Sequence, residues 1–502
     1  MTEEIKPARV RFAPSPTGRV HLGSGRTALY DYLLARQTGG QFVLRIEDTD
    51  RARYVPGAEQ EIMDGLHWLG IDWDEGPDKG GPYGPYRQSE RKEIYSKVAE
   101  QLVDMGAAYY CFCTPARLEE LHDRQRRLKQ TPHYDKHCRN IPLDEAKARV
   151  AAGEPHTIRF KTPEIGTTMT HDLIRGDIVT PNKTLDDFIL VKTDGWALYH
   201  LAAMVDDHMM KITHVIRGSE WLPTFPLHHL IYQALGWDEP TFIHLSVFLK
   251  PNGKGKMSKR DASEAMKDHH SIFLTDFAPL GYIPEGVVNW ISLMGWSYDD
   301  KTQIFTMPEL IEKFSLEHLN PSPAAIDFKK LDNFNGVQIR MLENDDLAKR
   351  VKPFFEEDGK KNGYTVDDAL LKRLIPSIKT RMETLDDGPD IAGFFFKKQI
   401  TVTPEELIQK DTTAAQCADF AERSIEILSK QEELKADVLE PLFRNLVEEL
   451  GVKTGQLFGL IREAVTGAQK TPPLFDTMEL IGKDTCIERL KTAEDMLRRN
   501  VA

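Results

Sequence analysis

The spacing of apolar and polar residues divides the chain into an amino-terminal part of alternating strands and helices and a helical remainder. Short apolar runs are typical of buried strands, and three- and four-residue apolar spacing is typical of helices that bury one face. The pattern predicts strands at 42–47, 187–192, 197–201 and 214–217, and helices at 26–36, 58–69 and 88–105. Ser89 is the predicted cap of the last of these helices.

Beyond Arg260 the pattern is helical almost throughout. Apolar spacing predicts helices at 284–294, 370–385, 419–428, 438–450 and 457–465. Residues 403–406, Thr-Pro-Glu-Glu, predict a helix start, because they combine a capping box with proline at the first helical position. The three phenylalanines at 394–396 have two interpretations, a platform for nucleic-acid bases or a core cluster, of which the core cluster is favoured.

Length and composition indicate a soluble protein of several domains. A chain of 502 residues exceeds one ordinary core, and about three to five domains are expected. The 40% hydrophobic and 28% charged residues are typical of globular proteins. The net charge of -13 argues against a nonspecific nucleic-acid coat, although a specific RNA partner on one basic face is compatible with it.

The amino terminus and the cysteine content predict the compartment. Residues 1–6 lack the positive start and apolar core of a secretory signal, and no uncharged apolar run approaches the ~20 residues that a membrane span needs. Five cysteines in so long a chain do not form a disulfide framework. We therefore expect a cytoplasmic protein with no membrane partner.

A glycine-rich, lysine-dense segment predicts contact with a polyphosphate. Residues 250–255 read Lys-Pro-Asn-Gly-Lys-Gly, and residues 256–260 read Lys-Met-Ser-Lys-Arg. Ammonium groups on such a loop act as point charges toward phosphate oxygens. A solvated basic turn is the alternative interpretation.

A second candidate phosphate site lies far upstream. Residues 11–18, Arg-Phe-Ala-Pro-Ser-Pro-Thr-Gly, run from an apolar alternation into a turn, and His21-Leu22-Gly23-Ser24 then opens a helical pattern. Such a strand, turn and helix start direct free backbone N–H groups and the helix dipole at one anion.

With both segments considered, the chain resembles a class I aminoacyl-tRNA synthetase. Residues 21–24 stand for its HIGH signature and residues 256–260 for its KMSKS signature. The stretches 11–18, 45–50 (RIEDTD) and 215–221 (VIRGSEW) are similar to the bacterial-type glutamyl-tRNA synthetase, and the similarity runs essentially end to end. One departure is Ser24 in place of the second signature histidine, a change that the glutamyl branch commonly tolerates. The share of His21 alone in triphosphate binding stays open.

The resemblance implies an α/β fold, with a Rossmann-like parallel-sheet catalytic domain and an α+β insertion, followed by all-α stem-contact and anticodon-binding domains. The expected bounds are 1–110 and 195–260 for the catalytic halves, 111–194 for the acceptor-end-binding insertion, 261–345 for the stem-contact domain, and 346–400 and 401–502 for the two anticodon-binding domains. The insertion carries a basic run, Arg124, Arg126, Arg127 and Lys129, for which a solvated helix is the alternative.

The activity that the resemblance implies is ATP-dependent ligation of L-glutamate to the 3′ end of tRNA(Glu) through a glutamyl-adenylate, by a monomer. Additional charging of tRNA(Gln) stays open. Because the glutamate carboxylate itself attacks the α-phosphorus of ATP, the protein must align groups and neutralise charge, with Mg²⁺ bridging phosphate oxygens. The expected catalytic residues are His21, Lys256 and Lys259. The expected ATP-binding residues are His21, Gly23, Ser24, Lys256, Ser258, Lys259 and Arg260.

A charged glutamate pocket is also implied by the resemblance. Its expected residues are Arg11, Ala13, Ser15, Glu47, Tyr199 and Arg217. Glu47 and Tyr199 are expected to hold the ammonium group. Arg217 is expected to bind the side-chain carboxylate and Arg11 the other carboxylate, with the reverse assignment left open, since the planar fork of arginine binds a carboxylate through two hydrogen bonds.

Three cysteines in the insertion are candidate metal ligands. Cys111, Cys113 and Cys138 can fill three corners of a zinc tetrahedron, because thiolates are soft ligands. Some glutamyl-type synthetases carry zinc on a Cys-x-Cys pair and a later Tyr-x-x-x-Cys, which this chain matches with Tyr134. Since Asn140 stands where some relatives have histidine, the fourth ligand is Tyr134 or His137. A cluster of buried thiols without zinc is the alternative.

Overall fold

The computed structural model describes residues 6–468 and 471–500, and the side chain of Lys259 lies outside that description. The chain forms two compact units, Met1–Phe277 with Val287–Lys330 and Ala278–Gly286 with Leu331–Ala502. The strands are β1 Arg9–Phe12, β2 Gln41–Leu44, β3 Ala108–Cys111, β4 Thr157–Phe160, β5 Thr167–Asp172, β6 Gly176–Pro181, β7 Ile189–Val191, β8 His214–Gly218, β9 Thr241–Leu245, β10 Phe248–Leu249 and β11 Ala324–Ala325.

Helices alternate with these strands in the first unit and are the main elements of the second. They are α1 Leu22–Thr38, α2 Ala58–Trp68, α3 Lys92–Asp104, α4 Pro115–Arg127, α5 Leu143–Ala151, α6 Tyr199–Met209, α7 Phe225–Leu235, α8 Ala262–Lys267, α9 Leu274–Phe277, α10 Pro284–Ser292, α11 Met307–Lys313, α12 Phe328–Met341, α13 Asn344–Asn362, α14 Asp368–Ile378, α15 Asp387–Ala392, α16 Pro404–Leu407, α17 Ala414–Ser429, α18 Ala436–Leu450, α19 Thr454–Thr466, α20 Leu474–Ile481 and α21 Lys483–Arg499.

Parallel strands form the centre of the first unit. β1 pairs with β2, and β8 pairs with β9, in parallel register. Thr213, just before β8, donates its backbone N–H to the Arg9 carbonyl of β1 at 2.8 Å and so links the two pairs. Sheets of this kind bind ligands beyond the carboxyl ends of their strands. The predicted fold class, with a parallel sheet first and helices after it, is confirmed.

The region of the predicted insertion contributes two further groups of strands. β3, β4 and β7 form an antiparallel sheet. β5 and β6 form an antiparallel hairpin, and β5 also joins β9 in parallel, with Asp172 opposite Phe242. The end of β5 therefore lies beside the central strands. The predicted domain bounds stay predictions.

Two local predictions in the first unit are wrong. Residues 197–201 lead into helix α6 instead of forming a strand. Residues 201–205 are all fully buried, and a helix buried on every side has the same unbroken apolar run as a buried strand. Ser89 does not cap α3, because it lies in a short 3₁₀ turn, Gln88–Glu90, and α3 begins only at Lys92.

The second unit is helical, as the apolar spacing predicted. Helices α17, α18 and α19 contain the predicted segments 419–428, 438–450 and 457–465. The capping box is confirmed, since Thr403 Oγ1 accepts from the Glu406 N–H and Glu406 Oε2 accepts from the Thr403 N–H at 2.8 Å. Phe394 and Phe395 are buried in an apolar cluster, which confirms the core interpretation for these two rings. Among the described residues, no helix combines the length and the apolar character needed to cross a membrane.

Candidate active site

A cavity of about 660 Å³ opens in the first unit beyond the carboxyl ends of β1 and β8. Its walls include Arg11, Ala13, Ser15, His21, Gly23, Ser24, Glu47, Tyr199, Arg217, Lys256 and Ser258. The two segments predicted to bind phosphate, which begin at His21 and Lys256, are far apart in sequence but line one cavity. The predicted residue Arg260 is exposed and does not line the cavity. The side chain of Lys259, also a predicted residue, lies outside the described part of the chain.

His21 caps the first helix with its own ring. The Gly23 N–H donates to His21 Nδ1 at 3.0 Å, and the His21 carbonyl accepts from the Ser24 N–H at 2.9 Å. A ring nitrogen that accepts a hydrogen bond carries no proton, so the neutral ring has its proton on Nε2. The start of α1 therefore places the His21 ring and the positive end of a helix dipole at the cavity wall.

The lysine-rich segment forms a tight turn that returns to β10. Met257 N–H donates to the Phe248 carbonyl at 2.8 Å, and Lys250 N–H donates to the Gly255 carbonyl at 3.1 Å. Gly255 has a φ of 83°, which side-chain-bearing residues rarely adopt. The Lys256 side chain is half exposed, and its Nζ lies 3.8 Å from Glu220 Oε2.

Asp261 contacts this loop at both Ser258 and Lys250. Its Oδ2 accepts from Ser258 Oγ at 2.7 Å, and its Oδ1 lies 2.7 Å from Lys250 Nζ. These contacts, first with Lys250 and then with Ser258, lower the pKa of Asp261 to about 2. The Ser258 hydroxyl, although it lines the cavity, is thus held by the loop itself.

A buried charge network underlies the predicted glutamate pocket. Asp207 Oδ1 accepts from Arg11 Nε at 3.0 Å and from Arg45 Nη1 at 2.7 Å, and Arg45 Nη2 donates to Glu47 Oε1 at 3.0 Å. Burial raises the pKa of Glu47, against the opposing effect of Arg45. Burial would also raise that of Asp207, but Arg11 and Arg45 together hold its pKa below the ordinary value. Both Arg11 and Arg45 are therefore already compensated by carboxylates.

Arg217 is buried in the same wall but is held differently. Its Nε donates to His244 Nε2 at 2.9 Å, its Nη2 lies 3.0 Å from His228 Nδ1, and its Nη1 lies 3.5 Å from the Tyr199 hydroxyl. Within the described part of the chain, no carboxylate forms an ion pair with it. Burial lowers the pKa of Arg217. A buried guanidinium with this surrounding is suited to binding an anionic group from the cavity.

Sequence reasoning missed most partners of these arginines. Arg45 lies in the RIEDTD stretch, for which the sequence analysis predicts no role of this residue, and it predicts no role for Asp206 or Asp207. Two adjacent acids inside an apolar run are a usable signal, because carboxylates are almost never fully buried unless they are paired. Trp221, which stacks on Tyr199 with ring centroids 4.0 Å apart, also lines the cavity.

The three predicted cysteine ligands lie together, close to the end of β3. The sulfur atoms of Cys111, Cys113 and Cys138 are all within 4.8 Å of one another. The Tyr134 hydroxyl lies 3.3 Å from Cys111 Sγ and 3.5 Å from Cys113 Sγ. Zinc bonds of about 2.3 Å to sulfur and 2.0–2.2 Å to oxygen separate tetrahedral ligands by roughly 3.5–3.8 Å. The donor set fits zinc with Tyr134 in the fourth position, and His137 is exposed outside it.

Comparison with known families assigns the chain. The family of class I tRNA synthetases (E and Q), catalytic domain, matches residues 7–333, and an anticodon binding domain matches residues 346–494. The chain belongs to the class I tRNA synthetases of the E and Q group. The family predicted from the two signatures is thereby confirmed.

Individual relatives span the whole length. The glutamate–tRNA ligase of Chloroflexus aurantiacus is 45% identical over 497 residues, which cover 97% of each chain. That of Dehalococcoides mccartyi is 43% identical over 495 residues, which cover 98% of each. The crystal structure of a glutamate tRNA ligase from Elizabethkingia meningosepticum, in complex with its amino acid, superimposes with a TM-score of 0.89 at 38% identity and covers 98% of this chain and 100% of that one. These similarities extend over both the synthetase domain and the helical part.

Proposed function

We propose that the chain is a glutamate–tRNA ligase that joins L-glutamate to the 3′ end of tRNA(Glu) with ATP as second substrate and a glutamyl-adenylate as intermediate. The observation that carries the proposal is the single cavity that holds His21, Lys256 and Arg217. Its two halves differ in chemistry, because one offers donors for a polyphosphate and the other a buried guanidinium for a carboxylate.

In the first half-reaction, the glutamate α-carboxylate attacks the α-phosphorus of ATP and pyrophosphate leaves. The His21 ring and the positive end of the α1 dipole lie at the cavity wall and stabilise the negative charge of the triphosphate. Lys256, with Lys259 from the same loop, offsets the charge on the departing pyrophosphate. Mg²⁺, when bound together with the triphosphate, would supply further charge neutralisation.

The glutamate is held by complementary charges. Arg217 binds its side-chain carboxylate, and Glu47 with the Tyr199 hydroxyl holds its ammonium group. Arg11 lines the same cavity while paired with Asp207, and its remaining Nη protons are assigned to the α-carboxylate. In the second half-reaction a terminal ribose hydroxyl of tRNA attacks the anhydride, and AMP leaves.

We assign the tRNA acceptor end to the predicted insertion, residues 111–194, and the anticodon to the predicted helical domains, residues 346–400 and 401–502. The exposed Arg124, Arg126 and Arg127 on helix α4 support an acceptor-end role for residues 111–194, since exposed basic side chains bind phosphates. The match of residues 346–494 to an anticodon binding domain supports the same role for the helical part.

We further propose a structural zinc ion bound by Cys111, Cys113, Cys138 and Tyr134. Such closed four-ligand sites hold loops together without a free position for substrate. Plasma emission analysis of the purified protein is expected to find about one zinc per chain, and less than about a tenth of an equivalent would reject the site. Cys138→Ser is expected to lose the metal, whereas Cys417→Ser, a buried thiol of the second unit, is expected to retain it.

The activity is tested by ATP–pyrophosphate exchange with each amino acid of the genetic code, with and without tRNA. We expect exchange with glutamate alone, and only when tRNA is present. Exchange driven by a different amino acid would reject the proposal. Charging assays with tRNA(Glu) and tRNA(Gln) in parallel distinguish a discriminating from a non-discriminating enzyme.

A further inference from the structure

Two histidines hold the Arg217 guanidinium from different sides. Arg217 Nε can only donate, so His244 Nε2 accepts at 2.9 Å, and the proton of His244 lies on Nδ1. That Nδ1 lies 2.7 Å from Asp172 Oδ2, a carboxylate without exposed surface at the end of β5. Asp172 therefore fixes both the orientation and the tautomer of His244.

The contacts of the second histidine, His228, determine its tautomer in the same way. Arg217 Nη2 donates to His228 Nδ1 at 3.0 Å, so the proton of His228 lies on Nε2. This Nε2 lies 3.0 Å from His200 Nδ1, which accepts. His228 and His244 are both fully buried. Burial first, and the Arg217 charge after it, lower the pKa of His228, and burial also lowers the pKa of His244.

This arrangement differs from that of the neighbouring arginine. Arg11 is oriented by the carboxylate of Asp207 at 3.0 Å, which also offsets its charge. Arg217 is oriented by neutral rings, and the Asp172 carboxylate contacts it only through His244. A neutral acceptor fixes the geometry of a guanidinium without offsetting its charge.

We propose that His228 and His244 are positioning residues that keep the charge of Arg217 uncompensated, and that this sets the preference for a side-chain carboxylate over a carboxamide. The inference rests on the proposed function, because it takes glutamate as the amino acid bound. A carboxylate in place of either imidazole would pair with Arg217 and compete with the substrate. This competition weakens the binding of a carboxylate ligand more than the binding of its neutral amide.

The test compares acid and amide variants at each histidine. The pairs are His228→Asp with His228→Asn, and His244→Glu with His244→Gln. We measure the KM for glutamate, the inhibition constant of glutamine and the KM for ATP in tRNA charging. Each acid variant is expected to raise the glutamate KM by about tenfold or more over its amide partner, with little change in the glutamine constant. The KM for ATP is expected to stay the same within each pair.

The outcomes separate this inference from the proposed function. A wild-type chain that does not charge tRNA with glutamate contradicts the function itself. The role of the histidines alone is overturned if the wild-type chain charges tRNA with glutamate but the acid and amide variants do not differ in the ratio of the glutamate KM to the glutamine inhibition constant. Where an acid variant fails to fold, ¹⁵N-histidine NMR of the wild-type chain decides. Neutral rings with the proton on Nδ1 of His244 and Nε2 of His228 are expected at neutral pH, and a charged ring at either position would overturn the inference.

Discussion

Arg45 Nη1 donates to Asp207 Oδ1 at 2.7 Å, and neither side chain has any exposed surface. The same Asp207 oxygen accepts from Arg11, so one carboxylate of α6 joins β1 to the residue that follows β2. Removing one partner from a buried ion pair leaves a charge without compensation and costs about 3–5 kcal/mol. We therefore expect Asp207→Asn to lower the free energy of unfolding of the first unit by an amount in that range.

Tryptophan fluorescence in a urea titration measures this loss. All seven tryptophans lie between residues 68 and 296, within the first unit, so their signal reports its unfolding. Lys192→Ala is the control, because its ion pair with Asp194 is exposed and contributes about 0–1 kcal/mol. Equal unfolding curves for Asp207→Asn and Lys192→Ala would contradict the prediction.

Arg217→Ala tests the pocket directly. Truncation removes the buried cation that we assign to the side-chain carboxylate, while Arg11 and Asp207 remain paired. Loss of one partner from a buried charge pair corresponds to at least roughly a hundredfold lower kcat/KM for glutamate. Steady-state tRNA charging measures it, with Arg149→Ala, an arginine of helix α5 outside the cavity lining, as control. A decrease below about fivefold would remove Arg217 from the pocket.

The parts of the site that the sequence predicted are those carried by contiguous segments. His21 and Lys256 could be found because each lies in a short run whose composition already suits a phosphate. Asp172, His228 and His244 could not be found, since each comes from a different element and only the pairing of β5 with β9 brings Asp172 to His244. The missed helix α6 has a related cause, because complete burial removes the periodicity that separates a helix from a strand.

The His200 ring predicts an acid-dependent loss of stability. Burial first, and the charge of Arg217 after it, lower the pKa of His200 to about 4, below the value of about 6.5 in the unfolded chain. The neutral ring is favoured in the fold, so its contribution is complete above about pH 6.5 and is lost as the pH falls toward about 4. Between about pH 7.5 and 5 the wild-type chain is expected to lose roughly 2 kcal/mol more than His200→Asn.

Urea titrations of both proteins at the two pH values measure this difference through tryptophan fluorescence. His171→Asn is the control, because the His171 ring is exposed and pairs with the exposed Asp177. Parallel curves for wild type and His200→Asn would contradict the lowered pKa.

Gly40 tests the close approach of the first two strands. A Cβ at this position would lie 1.8 Å from the carbonyl oxygen of Ala8, which is backbone and cannot move aside as a side chain can. We expect Gly40→Ala to shift the turn between α1 and β2 and to cost about 1–3 kcal/mol or more, measured by tryptophan fluorescence in urea. Gly65→Ala is the matched control, since its nearest neighbour, Leu274 Cβ, lies at an ordinary 3.6 Å and alanine favours a helix interior by about 0.5–1 kcal/mol. Because the two variants add the same methyl group, an equal effect on unfolding would show that the Ala8 contact does not limit residue 40 to glycine.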